Sequence, residues 1–283
     1  MVTPTHYRIF RHGSTTYFYS TLFFPRSVRE DVFLLYSFVR TADDFVDAVP
    51  QQTAEYFAFK ERYLGALEGE PGGDLVVDAF VDLMERKEIE PAWVEAFLRS
   101  MESDLWTATY ATVADLEEYL YGSSEVVGLM MARVMGLSGD ALEAARALGK
   151  AMQYINFIRD IAEDLTLGRT YFPQDELAAF GLSSLDPETA AAAPEAFASF
   201  VRAQVERYFR WQKEGEAGFA FIPFRYLVPV KTASDLYRWT AEEIQKDPFV
   251  VYRRKVKPSP LRAVGRACAN TLVLTWPGRG ETG

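Results

Sequence analysis

The sequence predicts an all-α protein, and three observations carry that expectation. Apolar residues recur at helical spacing in the segments 32–46, 92–105, 116–135, 141–165, 196–219 and 232–244, the three-to-four-residue repeat that turns one face of a helix toward a core. Alternating runs of the kind that make half-buried strands are scarce. The separators are rich in turn residues: 65–73 contains Pro71-Gly72-Gly73, 136–140 has two glycines and 183–194 has two prolines. They read as loops between helices, not as linkers between domains. With 49% hydrophobic and 25% charged residues, the composition suits a globular chain with a large core. A single domain over 1–283 is the expectation.

Taken in chain order, the segment 32–46 runs into Asp43-Asp44-Phe45-Val46-Asp47, with carboxylates at i, i+1 and i+4. The segment 116–135 holds Tyr119-Leu120-Tyr121-Gly122 and Val126-Val127-Gly128. The segment 141–165 ends in Asp160-Ile161-Ala162-Glu163-Asp164, with carboxylates at i, i+3 and i+4. Segments 92–105, 196–219 and 232–244 contribute the helical repeat itself.

Residues three or four apart share a helix face, so Asp43 or Asp44 can stand beside Asp47, and Asp160 beside Glu163 and Asp164. Like charges so placed destabilise a helix by a few tenths of a kcal/mol, roughly, and burying them unpaired costs far more. A solvated acidic face is one reading of either motif alone. Magnesium is the other: it takes oxygen ligands and commonly bridges one or two carboxylates to phosphates. Two such helices face to face could hold a diphosphate between metal ions. The second motif is framed by Gln153, Asn156 and Arg159 before it and by Arg169, Tyr171, Phe172, Pro173 and Gln174 after it, which a merely solvated face does not require.

The run Gln153-Tyr154-Ile155-Asn156-Phe157-Ile158-Arg159-Asp160-Ile161-Ala162-Glu163-Asp164, continuing through Gly168-Arg169-Thr170-Tyr171-Phe172-Pro173-Gln174-Asp175-Glu176-Leu177, resembles the second signature of squalene and phytoene synthases. Tyr36-Ser37-Phe38-Val39-Arg40-Thr41-Ala42-Asp43-Asp44-Phe45-Val46-Asp47 is similar to the first. Tyr119–Gly122 and Val126–Gly128 resemble the central cavity helix, and the likeness runs from about 14 to 254.

The resemblance implies an isoprenoid-synthase-like helical bundle around a deep apolar cavity. It also implies a magnesium-dependent prenyltransferase, with manganese as a substitute metal, that condenses two prenyl diphosphates head to head through a cyclopropyl diphosphate. Asp43, Asp44, Asp47, Asn156, Asp160, Glu163 and Asp164 become the expected metal-binding set, directly or through water. Asp43, Asp47, Asp160, Asp164, Tyr36 and Arg159 become the expected catalytic residues. Ser14, Thr16, Tyr17, Thr21, Arg40, Tyr119, Gln153, Arg169, Tyr237 and Arg254 become the expected substrate contacts.

The match departs near the N terminus, where Arg11-His12-Gly13-Ser14-Thr15-Thr16-Tyr17-Phe18 stands in place of the family's Ser-Phe pair. Near Arg254, Arg253 competes in the alignment. Thr21 lies where an aromatic side chain would shorten the cavity, so the chain-length expectation leans to geranylgeranyl diphosphate and phytoene. Two farnesyl diphosphates giving dehydrosqualene or squalene is the alternative, with NADPH needed only for squalene. A head-to-tail synthase or terpene cyclase and a non-catalytic helical assembly protein of the same fold are the remaining readings. The length of the Gln153–Leu177 match opposes the first of these, and the six intact carboxylates oppose the second.

Composition excludes other classes. A net charge of −10 argues against nucleic acid as a partner, since phosphate backbones recruit basic faces. Cys268 stands alone, so no intramolecular disulfide forms and a reducing compartment fits. Residues 1–10 lack the form of a secretory signal, and no run approaches the roughly 20 apolar residues of a membrane span. A cytoplasmic location is expected, with peripheral membrane contact for product release. Around 252–266 the charge reverses, through Arg253, Arg254, Lys255, Lys257, Arg262 and Arg266. A solvated helix end and a site for diphosphate or anionic headgroups both fit that run.

Overall fold

A computed structural model of the chain describes residues 2–70 and 72–275, so Pro71 of the expected turn lies outside the described residues. In chain order the helices are α1 (Pro4–Gly13), α2 (Thr15–Thr21), α3 (Arg26–Asp47), α4 (Thr53–Leu67), α5 (Leu75–Lys87), α6 (Pro91–Ser103), α7 (Val113–Leu120) and α8 (Val126–Val134). They continue as α9 (Ala141–Arg159), α10 (Ile161–Thr166), α11 (Gln174–Ala179), α12 (Pro187–Ala192), α13 (Pro194–Glu216), α14 (Phe224–Lys246), α15 (Val250–Arg253) and α16 (Pro260–Thr275). Among the described residues there is no strand, only an isolated bridge between Thr109 and Thr170.

Each periodic segment lies in helix, with three differences. The segment 116–135 is α7 and α8 joined through a π-helical turn, Tyr121–Glu125. Gly122 lets that turn pack closely on α6, because a Cβ there would sit 2.1 Å from Ser100 Oγ and 2.4 Å from the Ala96 carbonyl oxygen. The segment 141–165 is interrupted at Asp160, which takes φ −100° and ψ 14° between α9 and α10. The backbone ladder still passes through it, from Asp160 N to Asn156 O and from Asp164 N to Asp160 O, both 2.8 Å, so the helical register of the acids survives. Finally, 183–194 is not all loop: Pro187 opens α12 and Pro194 opens α13, a position where proline's missing N–H costs nothing.

The buried apolar residues form two clusters. One is built mainly by α1 to α6 with α8, the other mainly by α7, α9, α13 and α14. In the first, Phe38 is fully buried and stacks on Phe80 at 3.9 Å between ring centroids, with Phe59 and Tyr63 beside it. Truncating such a residue to alanine costs about 3–5 kcal/mol. In the second, Phe157 stacks on Tyr171 at 4.1 Å. Between the clusters lies an apolar cavity of about 240 Å³, walled by α2, α3, the π-turn, α8, α9, the 3₁₀ turn Ala217–Phe221 and α14. A helical bundle around an apolar cavity is thus present.

Candidate active site

The cavity wall includes Tyr36 and Val39 on α3 and Gln153 and Asn156 on α9. One turn beyond them on each helix stand the acidic motifs. On α3, Arg40 donates from Nη1 to Asp43 Oδ2 at 2.7 Å and brings Nη2 to 2.5 Å from Asp44 Oδ1. The helical repeat alone produces that clamp. Asp47 is held from elsewhere: Arg169 Nη1 donates to its Oδ1 at 2.6 Å, and Nη2 donates to the carbonyls of Val46 at 2.6 Å and Asp104 at 3.1 Å.

At the second motif Arg159 makes a two-pronged contact with Asp160, Nε to Oδ1 at 2.8 Å and Nη2 to Oδ2 at 2.5 Å. Lys255 Nζ lies 3.0 Å from Asp160 Oδ1 and also pairs with Glu163. The residue at the expected basic position, Arg254, is exposed, and Lys255 is the neighbour that reaches the acids. The basic run signalled this contact but not which member makes it.

Asp104 is the other residue the sequence did not single out. It caps the end of α6 and is 4% exposed. Its carboxylate accepts from Tyr119 Oη at 2.6 Å and Tyr171 Oη at 3.2 Å, and its carbonyl accepts from Gln51 at 2.9 Å. A lone aspartate with no acidic neighbour at helical spacing leaves no pattern to find. Tyr119, expected at the substrate, faces this aspartate, and the cavity wall on its segment is made by Ser123, Ser124, Val127, Gly128, Met131 and Met135.

Tyr17 and Tyr36 line the cavity together with Asn156, and Tyr237 packs beside Tyr17 outside the lining. The rings of Tyr17 and Tyr237 are 5.5 Å apart and those of Tyr17 and Tyr36 6.5 Å apart, while Tyr36 stacks on Phe10 at 3.9 Å. Gly13 lets α1 end against them, because a Cβ there would lie 2.4 Å from Tyr36 Oη. Ser14 then caps α2 by accepting from Tyr17 N at 3.2 Å. Thr16 and Thr21 are buried on α2, and Thr21 lines the cavity. His12 is bonded to the Arg8 carbonyl of its own helix.

The electrostatics are those of charges crowded in a low-dielectric corner. Burial, with Asp47 beside it, raises the Asp43 carboxyl pKa against the pull of Arg40. Burial, then Asp160 and Asp47, raise that of Asp164. Burial pushes Asp104 up to about 7 despite Arg169 and two tyrosine donors. Asp160 goes the other way, because although burial opposes ionisation, Arg159 and Lys255 together hold its carboxyl below the ordinary value. Burial raises the Tyr17, Tyr36 and Tyr237 hydroxyls.

The donor set fits a hard divalent cation. It is all oxygen, two of its carboxyls are held uncomfortably as anions, and Asn156 Oδ1 is buried without a hydrogen-bond partner. Among the described residues no three acids converge on one point, and Arg40, Arg159, Arg169 and Lys255 pair with Asp43, Asp44, Asp47, Asp160 and Glu163. One or two carboxylates per ion, completed by phosphate and water, is the usual arrangement for magnesium.

The family model for squalene/phytoene synthase matches residues 10–262. The 15-cis-phytoene synthase of Synechococcus elongatus is 30% identical over 257 residues, covering 85% of this chain and 82% of that protein. The 15-cis-phytoene synthase of Paracoccus sp. is 29% identical over 265 residues, covering 89% and 85%. Among solved structures, a dehydrosqualene synthase in complex with ligand superposes with TM-score 0.83 at 22% identity over 95% of each chain. Squalene synthase HpnC from Alicyclobacillus acidocaldarius superposes with TM-score 0.75 at 24% identity, over 86% of this chain and 93% of that one. At these identities the structural likeness is one of fold.

Proposed function

The chain belongs to the squalene/phytoene synthase family, and from that premise we propose that it condenses two geranylgeranyl diphosphates head to head into phytoene, as one prenyltransferase domain. The observation that carries this reading is an apolar cavity ending at two carboxylate motifs that are stocked with arginine and lysine.

Asp43, Asp44, Asp47, Asp160, Glu163 and Asp164, with Asn156, would hold magnesium. When bound, magnesium neutralises charge building on a leaving diphosphate and so favours breaking its allylic carbon–oxygen bond. Arg40, Arg159, Arg169 and Lys255 are placed to exchange a carboxylate for diphosphate oxygens, and the planar arginine fork suits two oxygens at once. Gln153 reaches the same mouth from α9.

In the first half-reaction one diphosphate leaves and an allylic cation remains. The double bond of the second molecule attacks it, and loss of a proton closes a cyclopropyl diphosphate. In the second half the remaining diphosphate leaves, the ring rearranges, and loss of a proton gives the hydrocarbon. The ring faces of Tyr17, Tyr36 and Phe10 offer negative potential without a nucleophile, and the apolar walls keep water from the cation. Thr21 leaves the cavity end open for a longer chain. The deciding experiment is incubation with farnesyl or geranylgeranyl diphosphate separately, with and without NADPH, followed by mass analysis. Phytoene from the longer substrate without NADPH supports the reading; dehydrosqualene or squalene from the shorter one replaces it.

A further inference from the structure

Arg169 is the most enclosed of the four cations paired with the acidic motifs. Its side chain is 5% exposed, against 12% for Arg159, 26% for Lys255 and 31% for Arg40. Its backbone is tied down as well: Arg169 N donates to the Asp164 carbonyl at 2.9 Å, and Thr170 N donates to that of Ala108 at 2.8 Å. Among the described residues its only ion pair is the one with Asp47. Asp47 also belongs to the proposed metal-binding set, so loading the site takes this carboxylate, wholly or in part, from the guanidinium. A buried cation left without compensation is strongly disfavoured.

A second carboxylate stands behind it. Asp104 is 4% exposed and, among the described residues, forms no ion pair of its own. Tyr171 Oη lies between the two groups, accepting from Arg169 Nη1 at 3.4 Å and donating to Asp104 Oδ1 at 3.2 Å. Stacking of the Tyr171 ring on Phe157, 4.1 Å between centroids, keeps that hydroxyl where it is. Tyr119 Oη holds the other carboxylate oxygen at 2.6 Å, and the Asp104 carbonyl accepts from Arg169 Nη2 at 3.1 Å. Burial pushes the Asp104 carboxyl up, and of the groups around it Arg169 opposes that rise most. The two charges therefore feel each other although their ends make no direct contact. Arg169 sits between one carboxylate that changes partner and one that does not.

We propose that Asp104 is a positioning residue: through Tyr171 its carboxylate is the fixed counter-charge that keeps Arg169 in place while the guanidinium exchanges Asp47 for diphosphate. This rests on the function proposed above, in which magnesium draws on Asp47 and Arg169 meets diphosphate oxygens. Asp104 itself lies outside the cavity lining and acts only through its neighbours. Without it, the guanidinium would follow whichever anion came nearest. With it, the donors stay in one place through the exchange, and a binding group held by such a supporting shell keeps its geometry.

The test is calorimetric titration of inorganic diphosphate into the protein in saturating magnesium, with metal-free melting curves alongside. Asp104→Asn should bind diphosphate ~10-fold more weakly than the wild type, the scale of coupling within one buried network. Tyr171→Phe removes the bridge but leaves Asp104 bonded to Tyr119; it should weaken binding ~3-fold or more, and it decides the matter if the Asn variant does not fold. In an Arg169→Gln background, Asp104→Asn should change the affinity less than ~2-fold, because the group it acts through is gone. A purely structural Asp104 would shift the metal-free melting temperature and leave the affinity alone. Wild-type affinity in both Asp104→Asn and Tyr171→Phe overturns the proposal, and so does an equal loss with and without Arg169. A wild type that binds no diphosphate in magnesium removes the metal assignment along with it. A wild type that binds, matched by both variants, leaves that assignment standing and removes the role of Asp104 alone.

Discussion

In the first acidic motif, Asp43 and Asp44 receive their counter-charge from Arg40, one turn back on the same helix, at 2.7 and 2.5 Å. In the second, Asp160 and Glu163 receive much of theirs from Lys255, more than ninety residues away in sequence, across a helix that breaks at Asp160 itself. The Asp43–Asp44 pair is neutralised within one helix, whereas Asp47 waits on Arg169 and the second motif gains Lys255 only when the chain end folds back over α10. The difference teaches that the Arg40 clamp on Asp43 and Asp44 should assemble wherever α3 does, whereas the contacts of Arg169 with Asp47 and of Lys255 with Asp160 depend on long-range packing. Burial raises the carboxyls of Asp43 and Asp164, while at Asp160 the pairing with Arg159 and then Lys255 outweighs burial and lowers it.

The largest expected effect comes from removing one carboxylate from each motif. Asp43→Asn and Asp160→Asn should each lower turnover at least ~100-fold with helix content unchanged, because each removes a charge from the proposed metal-binding set. Diphosphate-release kinetics and circular dichroism check this, and near-normal turnover in both variants ends the site assignment. Next in size is ligand coupling. Magnesium with a non-hydrolysable prenyl diphosphate should raise the melting temperature by more than the sum of the two alone, because each completes the binding of the other. Saturation at 100 times the dissociation constant is worth about 2.7 kcal/mol, and purely additive shifts argue against a bridged arrangement.

Chain length sharpens the comparison at the cavity's other end. Thr21→Phe should move the ratio of kcat/KM for geranylgeranyl over farnesyl diphosphate down about tenfold, since each buried methylene is worth ~0.8 kcal/mol and overfilling costs ~1–3 kcal/mol. An unchanged ratio removes Thr21 as a determinant while leaving the family intact. Smaller still, Lys255→Met should lower the metal-free stability by roughly 0.5–1 kcal/mol and Arg40→Met by less, because only the lysine ties distant parts of the chain together. Denaturant melts that rank the two the other way undo the contrast between the motifs.

The smallest effect is in pH dependence. A carboxyl whose folded pKa is raised, as at Asp104 to about 7, binds its proton more tightly in the folded state. Its contribution is therefore full below the ordinary carboxylate value and is lost as pH rises through 7. Asp104→Asn should remove that loss, so the variant gains on the wild type between about pH 4 and pH 7 in metal-free melts. A constant difference across that range contradicts a raised Asp104.

The helical class, the motifs at 43–47 and 160–164 and the clamp Arg40 makes all follow from spacing, because residues three and four apart meet on a helix whatever surrounds it. Family-specific runs such as Gln153–Leu177 carried the chemistry as well. What no spacing contains is distance across the fold. That Arg169 bridges Asp47 to Asp104, that Tyr119 turns to that aspartate rather than to the cavity, and that Lys255 rather than Arg254 reaches Asp160 were settled by how α3, α6, α10 and the segment after α15 pack. Local periodicity acts over one turn of helix, about 5.4 Å, and is written in neighbouring residues; contacts between segments many tens of residues apart depend on the summed burial of two cores, which only the folded chain resolves.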